Sequence, residues 1–203
     1  MERLTAPLVE WGVASSPLEP GESGDAHMVH ARPGGVLLGV VDGLGHGSAA
    51  AAASREAIRL LADADGGDPL AALRLAHEDL RATRGVVLAL AWIDAPGDRM
   101  MWLAVGNVQG MLLRRNGALP RREILVGRGG VVGRLLPPLQ TRVVPISPGD
   151  VLILATDGIH PAFTQDVVWS DQPQQIADAI LAGHRTGADD ALVLAASVRG
   201  ASA

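Results

Sequence analysis

The chain of 203 residues is 48% hydrophobic and 19% charged, with a mean hydropathy of +0.23, so it can bury a sizeable core and is not composed like a disordered chain. A net charge of −5, no Tyr and a single Phe exclude the basic footprint of a nucleic-acid or anionic-membrane binder and its stacking platform. The absence of Cys excludes disulfide frameworks, thiol catalysis and thiolate zinc sites; with no basic-apolar leader and no apolar window of about 18 residues, a cytoplasmic protein is the default expectation.

No repeat or linker tract divides the chain, so one domain spanning residues 1–203 is expected. Beyond the loop SSPLEPGESG, DAHMVHA and GGVLLGVVD predict two strands joined as a hairpin at RPGG. The Ala- and Leu-rich stretch from His46 to about Leu61 predicts a helix whose small side chains permit close packing. Asp68 and Pro69 predict the N-cap and first turn of a second helix, which places Leu70, Leu73, Ala76 and Leu80 at helical spacing and stops at Gly85. VVLALAWID, RMMWLAVGN and VQGMLLRRNG predict three strands paired as an antiparallel meander, with turns at Pro96-Gly97 and Asn116-Gly117. TRVVPI and VLILATDG predict a further hairpin across SPGD, QPQQIADAILAGH a third helix and DDALVLAASV a buried closing strand. This order of strands, helices, strands, helix and strand predicts an α+β layered architecture and not a doubly wound sheet.

Set against that map, the carboxylates fall at strand ends. Asp25 begins a strand, Asp42 and Asp157 each end one before a glycine, and Asp189-Asp190 open the last. An Asp-Gly at a strand end is commonly turn chemistry alone. If the ends converge, however, several carboxylates meet and like charges need compensation, which a divalent ion supplies. Carboxylate and carbonyl oxygens without thiolate or a helical His pair favour Mg²⁺ or Mn²⁺ over Zn²⁺. A pair of such ions activates water and clamps phosphoryl oxygens, so the chemistry suggested is phosphoester hydrolysis.

The ordered segments SGDAH, GVVDGLGHGSAAAAAS, LAVGNVQGMLL, ISPGDVLILATDGI and GADDALVLAAS resemble the PPM class of metal-dependent Ser/Thr protein phosphatases in its bacterial SpoIIE-type branch. Within the branch, VDGLGHG and VGNV look most like phosphatases that reset the stressosome. The resemblance implies a four-layer αββα sandwich of two antiparallel sheets flanked by helices, with a dinuclear Mn²⁺ or Mg²⁺ site at one edge. Asp42 would bridge the metals, the Gly43 carbonyl would bind one, Asp157 and Asp189 would complete the other's shell, and Asp25 would hold metal-bound water or a weaker ion. Asp190 matches a supporting position. The implied activity is one-step hydrolysis of phosphoserine or phosphothreonine, catalysed through Asp42, Asp157 and Asp189. The implied partners are phosphorylated STAS-domain stressosome proteins. Alternatives are a phosphorylated anti-sigma-factor antagonist as substrate, a small phosphoester, or a catalytically inactive binding module. The chain departs from the branch in lacking aromatic residues after Gly24-Asp25 and in carrying Ala191 after the final Asp pair.

Single residues carry two readings each. His46 either meets substrate phosphate or the leaving oxygen, or is a polar residue at a helix start. His27 and His30 read as structural, His160 as near the site or merely a loop residue, and Gly106-Asn107 as ordinary turn chemistry. Arg128 and Arg134, in the loop from Gly127 to Pro138, either recognise an acidic partner or are solvated. The stretch His77 to Leu80 lacks a second His at i+4 and reads as an exposed helical face.

Overall fold

The computed structural model describes residues 7–115 and 120–199. In chain order, β1 (Val9–Ser16), β2 (Asp25–Arg32) and β3 (Gly35–Gly43) precede α1 (Ser48–Asp63) and α2 (Pro69–Asp79), with a 3-10 turn at Leu80–Ala82. Then come β4 (Val86–Asp94), β5 (Arg99–Val105), β6 (Gln109–Leu113), β7 (Arg122–Leu125), β8 (Arg142–Pro145) and β9 (Val151–Ala155), followed by α3 (Phe163–Asp166), α4 (Pro173–His184) and β10 (Ala191–Val198).

Strands such as β4 and β10 are apolar almost throughout, which satisfies a strand only when both of its faces are covered. Two antiparallel five-stranded sheets meet that condition, ordered β1-β10-β9-β6-β7 and β2-β3-β4-β5-β8. Alternate residues of each strand face inward: Val36, Leu38 and Val40 of β3 share a core with Leu152 and Leu154 of β9 and with Leu192 and Leu194 of β10. The other alternates face helices. Leu37 and Val41 lie under α1 and α2 with Ala53, Ala57, Leu61 and Leu73, while Ile153 and Val193 lie under Ile176, Ala177 and Ile180 of α4. The result is the expected α+β, helix–sheet–sheet–helix sandwich.

Several expected elements hold. The β2–β3 hairpin, α1, α4 and the buried closing strand all form, and the Asp68 side chain caps α2 by accepting from the Leu70 N–H at 2.9 Å. Two expected pairings are corrected. β4 and β5 pair, but β6 leaves them for the other sheet, between β9 and β7. The switch occurs at Gly106, whose φ of 93° lies in the region that glycine alone enters freely. Likewise β8 and β9 form no hairpin: β8 pairs with β5 and β9 with β10 and β6. The Asp150 carboxylate closes the intervening turn by accepting from the Ser147 and Arg115 N–H groups, both at 3.0 Å. The predicted turn at Asn116-Gly117 lies outside the described residues. β1, β7 and α3 were not anticipated; β7 is only four residues long, and β1 mixes Glu, Trp and Ser into its apolar pattern.

The His77 stretch is also corrected. His77 is buried, and its Nδ1 accepts from the Gly133 N–H at 2.9 Å, so this helical face anchors the loop from Gly127 to Pro138. Val132 of that loop is fully buried and bonds to Val86 through both backbone groups. No helix among the described residues is long and apolar enough to cross a membrane.

Candidate functional site

The register of β2 on β3 sets Asp25 directly opposite Asp42, at the same end of one sheet. In the other sheet β9 ends at Ala155, opposite Val193, so Asp157 leaves β9 beside Asp189 and Asp190 as they enter β10. The two sheets are tied together at this edge. The Thr156 hydroxyl donates to Asp25 Oδ2 at 2.7 Å, and that same oxygen of Thr156 accepts from the Leu192 N–H at 2.9 Å. Asp25, Asp42, Asp157 and Asp189 therefore lie near one another at one edge, close enough that each of the other three raises the Asp42 carboxyl.

Close packing behind Asp42 explains the glycine that follows it. A Cβ on Gly43 would lie 2.2 Å from the Ala50 carbonyl oxygen, so only glycine lets α1 approach the strand end. The alanines of α1 serve the same approach: Ala50, Ala53 and Ala57 are buried against the sheet.

Asp190 has a different task. It is buried, and its two oxygens accept from the Gly24 N–H at 2.6 Å and the Leu18 N–H at 2.7 Å, pinning the loop before β2 to the start of β10. The supporting role expected of it has this physical form. Asp190→Ala orphans both donors and is expected to cost about 2–3 kcal/mol, read as a fall of roughly 5–10 °C in the thermal midpoint.

Asn107 overturns its reading as ordinary turn chemistry. Its Nδ2 donates to Asp157 Oδ2 at 2.6 Å, fixing one carboxylate oxygen. A Gly-Asn pair is common enough in turns that no local signal marks this role; only the crossing of β6 into the sheet of β9 brings Asn107 there. Thr156 escaped notice for the same reason, its partners lying across the sandwich. By holding a carboxylate's orientation, Asn107 resembles the outer partners of metal-binding carboxylates. Asn107→Ala is expected to weaken Mn²⁺ binding about tenfold, measured by isothermal titration.

The electrostatics are those of an uncompensated anionic cluster. Burial first, then repulsion from Asp25, Asp157, Asp189 and Asp190, pushes the Asp42 carboxyl up to about 8. Burial likewise pushes Asp25 up to about 7, against the Thr156 hydrogen bond that lowers it, with Asp190, Asp157 and Asp189 adding to the rise. Asp157 is raised by burial and by Asp189, opposed by the hydrogen bond from Asn107. No basic group among the described residues offsets the charge on Asp25 or Asp42. Among those residues, too, no three carboxylates or imidazoles are gathered into ion-ligating geometry. The donor set fits a hard divalent ion: carboxylate and carbonyl oxygens with neither thiolate nor imidazole among them.

The histidines stand outside this cluster. His27 packs on Trp11 with ring centroids 5.6 Å apart, and burial lowers its pKa. The His160 Nδ1 accepts locally from the Ala162 N–H. His46 is exposed at the approach to α1, on a cavity of about 200 Å³ shared with Glu19, Glu22 and Asp190. Arg134 does not face solvent freely, since it donates to the Thr83 and Arg84 carbonyls.

Comparison with known proteins follows the same lines. The family model described as Stage II sporulation protein E (SpoIIE) matches residues 32–199. A search of curated proteins finds no match. Among solved structures, the chain is similar to one reported under "The bacterial stressosome: a modular system that has been adapted to control secondary messenger signaling", at 26% identity and a TM-score of 0.82, covering 93% of this chain and 98% of that one. It is similar in fold to RsbX in complex with magnesium, at 18% identity and a TM-score of 0.82, with 98% of each chain covered. It also shares the fold of the catalytic domain of the serine/threonine protein phosphatase PstP in complex with two manganese ions, at 22% identity and a TM-score of 0.66, covering 94% of this chain and 98% of that one.

Proposed function

Because the chain belongs to the SpoIIE family of PPM phosphatases, we propose that it is a Mn²⁺- or Mg²⁺-dependent phosphoserine/phosphothreonine protein phosphatase acting on phosphorylated STAS-domain proteins of a stressosome. The observation that carries this reading is the convergence of Asp25, Asp42, Asp157 and Asp189 on one edge, uncompensated by any basic group among the described residues. The structural likeness to RsbX and to the stressosome-associated chain supports the choice of substrate.

Asp42, Asp157, Asp189 and the Gly43 carbonyl would hold the ions, with Asp25 as an outer ligand. When bound, divalent ions supply Lewis-acid activation of water and neutralise charge on the phosphoryl oxygens. The chain's own residues prepare the site for them. Asp42, and Asp25 in part, would give up protons on loading, because pKa values raised to about 8 and about 7 hold protons near neutrality. Thr156 and Asn107 each hold one oxygen of a carboxylate and so restrict its orientation. Asp190 keeps the loop before β2, and with it the start of the strand bearing Asp25, locked to β10. A phosphocysteine route is closed, since the chain contains no Cys.

The test is phosphate release from a phosphothreonine-bearing STAS-domain protein and from an aryl phosphate, with Mn²⁺ and with chelator. Release from both that vanishes with chelator is expected. Release insensitive to chelator defeats the metal mechanism, and hydrolysis confined to the aryl phosphate defeats the choice of substrate.

A further inference from the structure

Most arginines of the described chain are held in ion pairs or bonded to backbone carbonyls. Among the described residues Arg74, Arg84, Arg121 and Arg128 have neither kind of partner, and of these Arg84 and Arg128 stand beside the entry to β4 and the end of β5, on the side of β3 away from β2. Arg84 immediately precedes the Gly85-Val86 entry into β4, the neighbour of β3, where Val87 pairs with Asp42 and Val86 with Gly43. Its guanidinium lies over the loop that follows Asp42: a Cβ on Gly45 would sit 2.8 Å from Arg84 Nη1. The backbone beneath it is fixed from several sides. Leu44 donates to the Gly85 carbonyl at 3.1 Å, Gly85 donates to the Thr83 hydroxyl at 3.0 Å, and Arg134 Nη2 donates to the Thr83 carbonyl at 2.8 Å.

Arg128 is placed by the same sheet, bridging to Val105 at the end of β5 and donating its N–H to the Ala104 carbonyl at 3.0 Å. Its carbonyl accepts from the Gly106 N–H at 2.8 Å, one residue before the Asn107 that holds Asp157. On the β2 side of Asp42, the loop before β2 carries exposed Glu19 and Glu22 beside His46. On the β4 and β5 side lie the guanidinia of Arg84 and Arg128, both exposed. An arginine on a fixed backbone with a free planar fork is suited to a carboxylate or phosphate oxygen.

We propose that Arg84 and Arg128 form a subsite for an acidic side chain flanking the phosphorylated residue of the substrate, which lies across the edge with its acidic neighbour on the β4 flank. This rests on the phosphatase reading above and adds the character of the substrate segment to it. Arg134, the other arginine of the Gly127 to Pro138 loop, is instead committed to holding the Thr83–Arg84 backbone.

The test uses two fluorescent phosphothreonine peptides, one with acidic residues on both flanks and one with Gln in their place. They are compared on the full chain with Mn²⁺ by fluorescence anisotropy and by phosphate release. Wild type is expected to prefer the acidic peptide about tenfold in Kd and KM at low salt, and Arg84→Ala/Arg128→Ala to bring that ratio close to one. Arg74→Ala, at an exposed position on α2, is expected to keep the ratio. Equal affinity of wild type for the two peptides overturns the proposal, as does a ratio that survives in the double variant or a loss equally large on both peptides. If wild type releases no phosphate, the phosphatase reading fails, and the anisotropy ratio still decides the subsite.

Discussion

Asp42→Asn is expected to lower metal-dependent phosphomonoester hydrolysis by about 10³-fold or more, equivalent to roughly 4 kcal/mol of barrier, while raising the stability of the metal-free protein. The two effects share one cause. Asp42 stands opposite Asp25 in register, follows a fully buried strand and precedes a glycine on which α1 closes. Its carboxyl is the one pushed furthest up, to about 8, which says that its charge is disfavoured by burial and by every neighbouring carboxylate. A carboxamide keeps the shape, removes the charge and loses the anionic oxygen that a divalent ion requires. Without metal, that exchange relieves repulsion and is expected to stabilise the fold by on the order of 1–3 kcal/mol near pH 8. Steady-state hydrolysis and thermal unfolding in chelator measure the two halves. Activity within threefold of wild type contradicts the assignment, and a destabilised metal-free variant contradicts the electrostatics.

The metal-free protein is further expected to lose stability as pH rises from about 5 to about 8.5. Asp25 and Asp42 hold their protons up to about 7 and about 8 in the folded state, against an ordinary value of 3.8. Between those limits the folded chain binds more protons than the unfolded one, so unfolding becomes easier as protons are withdrawn. The stabilisation present below the ordinary carboxylate value is lost as pH passes through the raised values. Because the two groups repel each other, their contributions do not add, and a combined loss on the order of 3 kcal/mol is expected, or roughly 6–12 °C in the thermal midpoint. Mn²⁺ reverses the trend, because its binding expels those protons and tightens as pH rises. Comparing wild type with Asp42→Asn in chelator isolates the effect from other titrating groups. A difference between them that does not widen with pH contradicts this account.

The features legible in sequence were those set by local periodicity and turn chemistry. The strand ends at Asp42-Gly43, Asp157-Gly158 and Asp189, the capped start of α2 and the alanine-rich α1 each leave a signal within a dozen residues. Strand partnership leaves none. In a sandwich covered by helices, β6 and β9 are apolar on both faces and would satisfy either sheet, so adjacency in sequence suggested pairings that the fold rejects. The residues that support the site depend on those crossings. Asn107 reaches Asp157 because β6 lies beside β9, Thr156 reaches Asp25 only across the two sheets, and His77 meets Gly133 from a helix 56 residues away. Side chains that carry charge at strand ends could be nominated from the sequence. Those that orient them could not.

The most direct test is a Mn²⁺-soaked crystal of the wild-type chain, measured at the manganese absorption edge. Anomalous peaks for two ions between Asp42, Asp157 and Asp189, with one against the Gly43 carbonyl, are the expected result. Strong peaks elsewhere, or a carboxylate edge that stays empty at saturating Mn²⁺ and pH above 8, would contradict it.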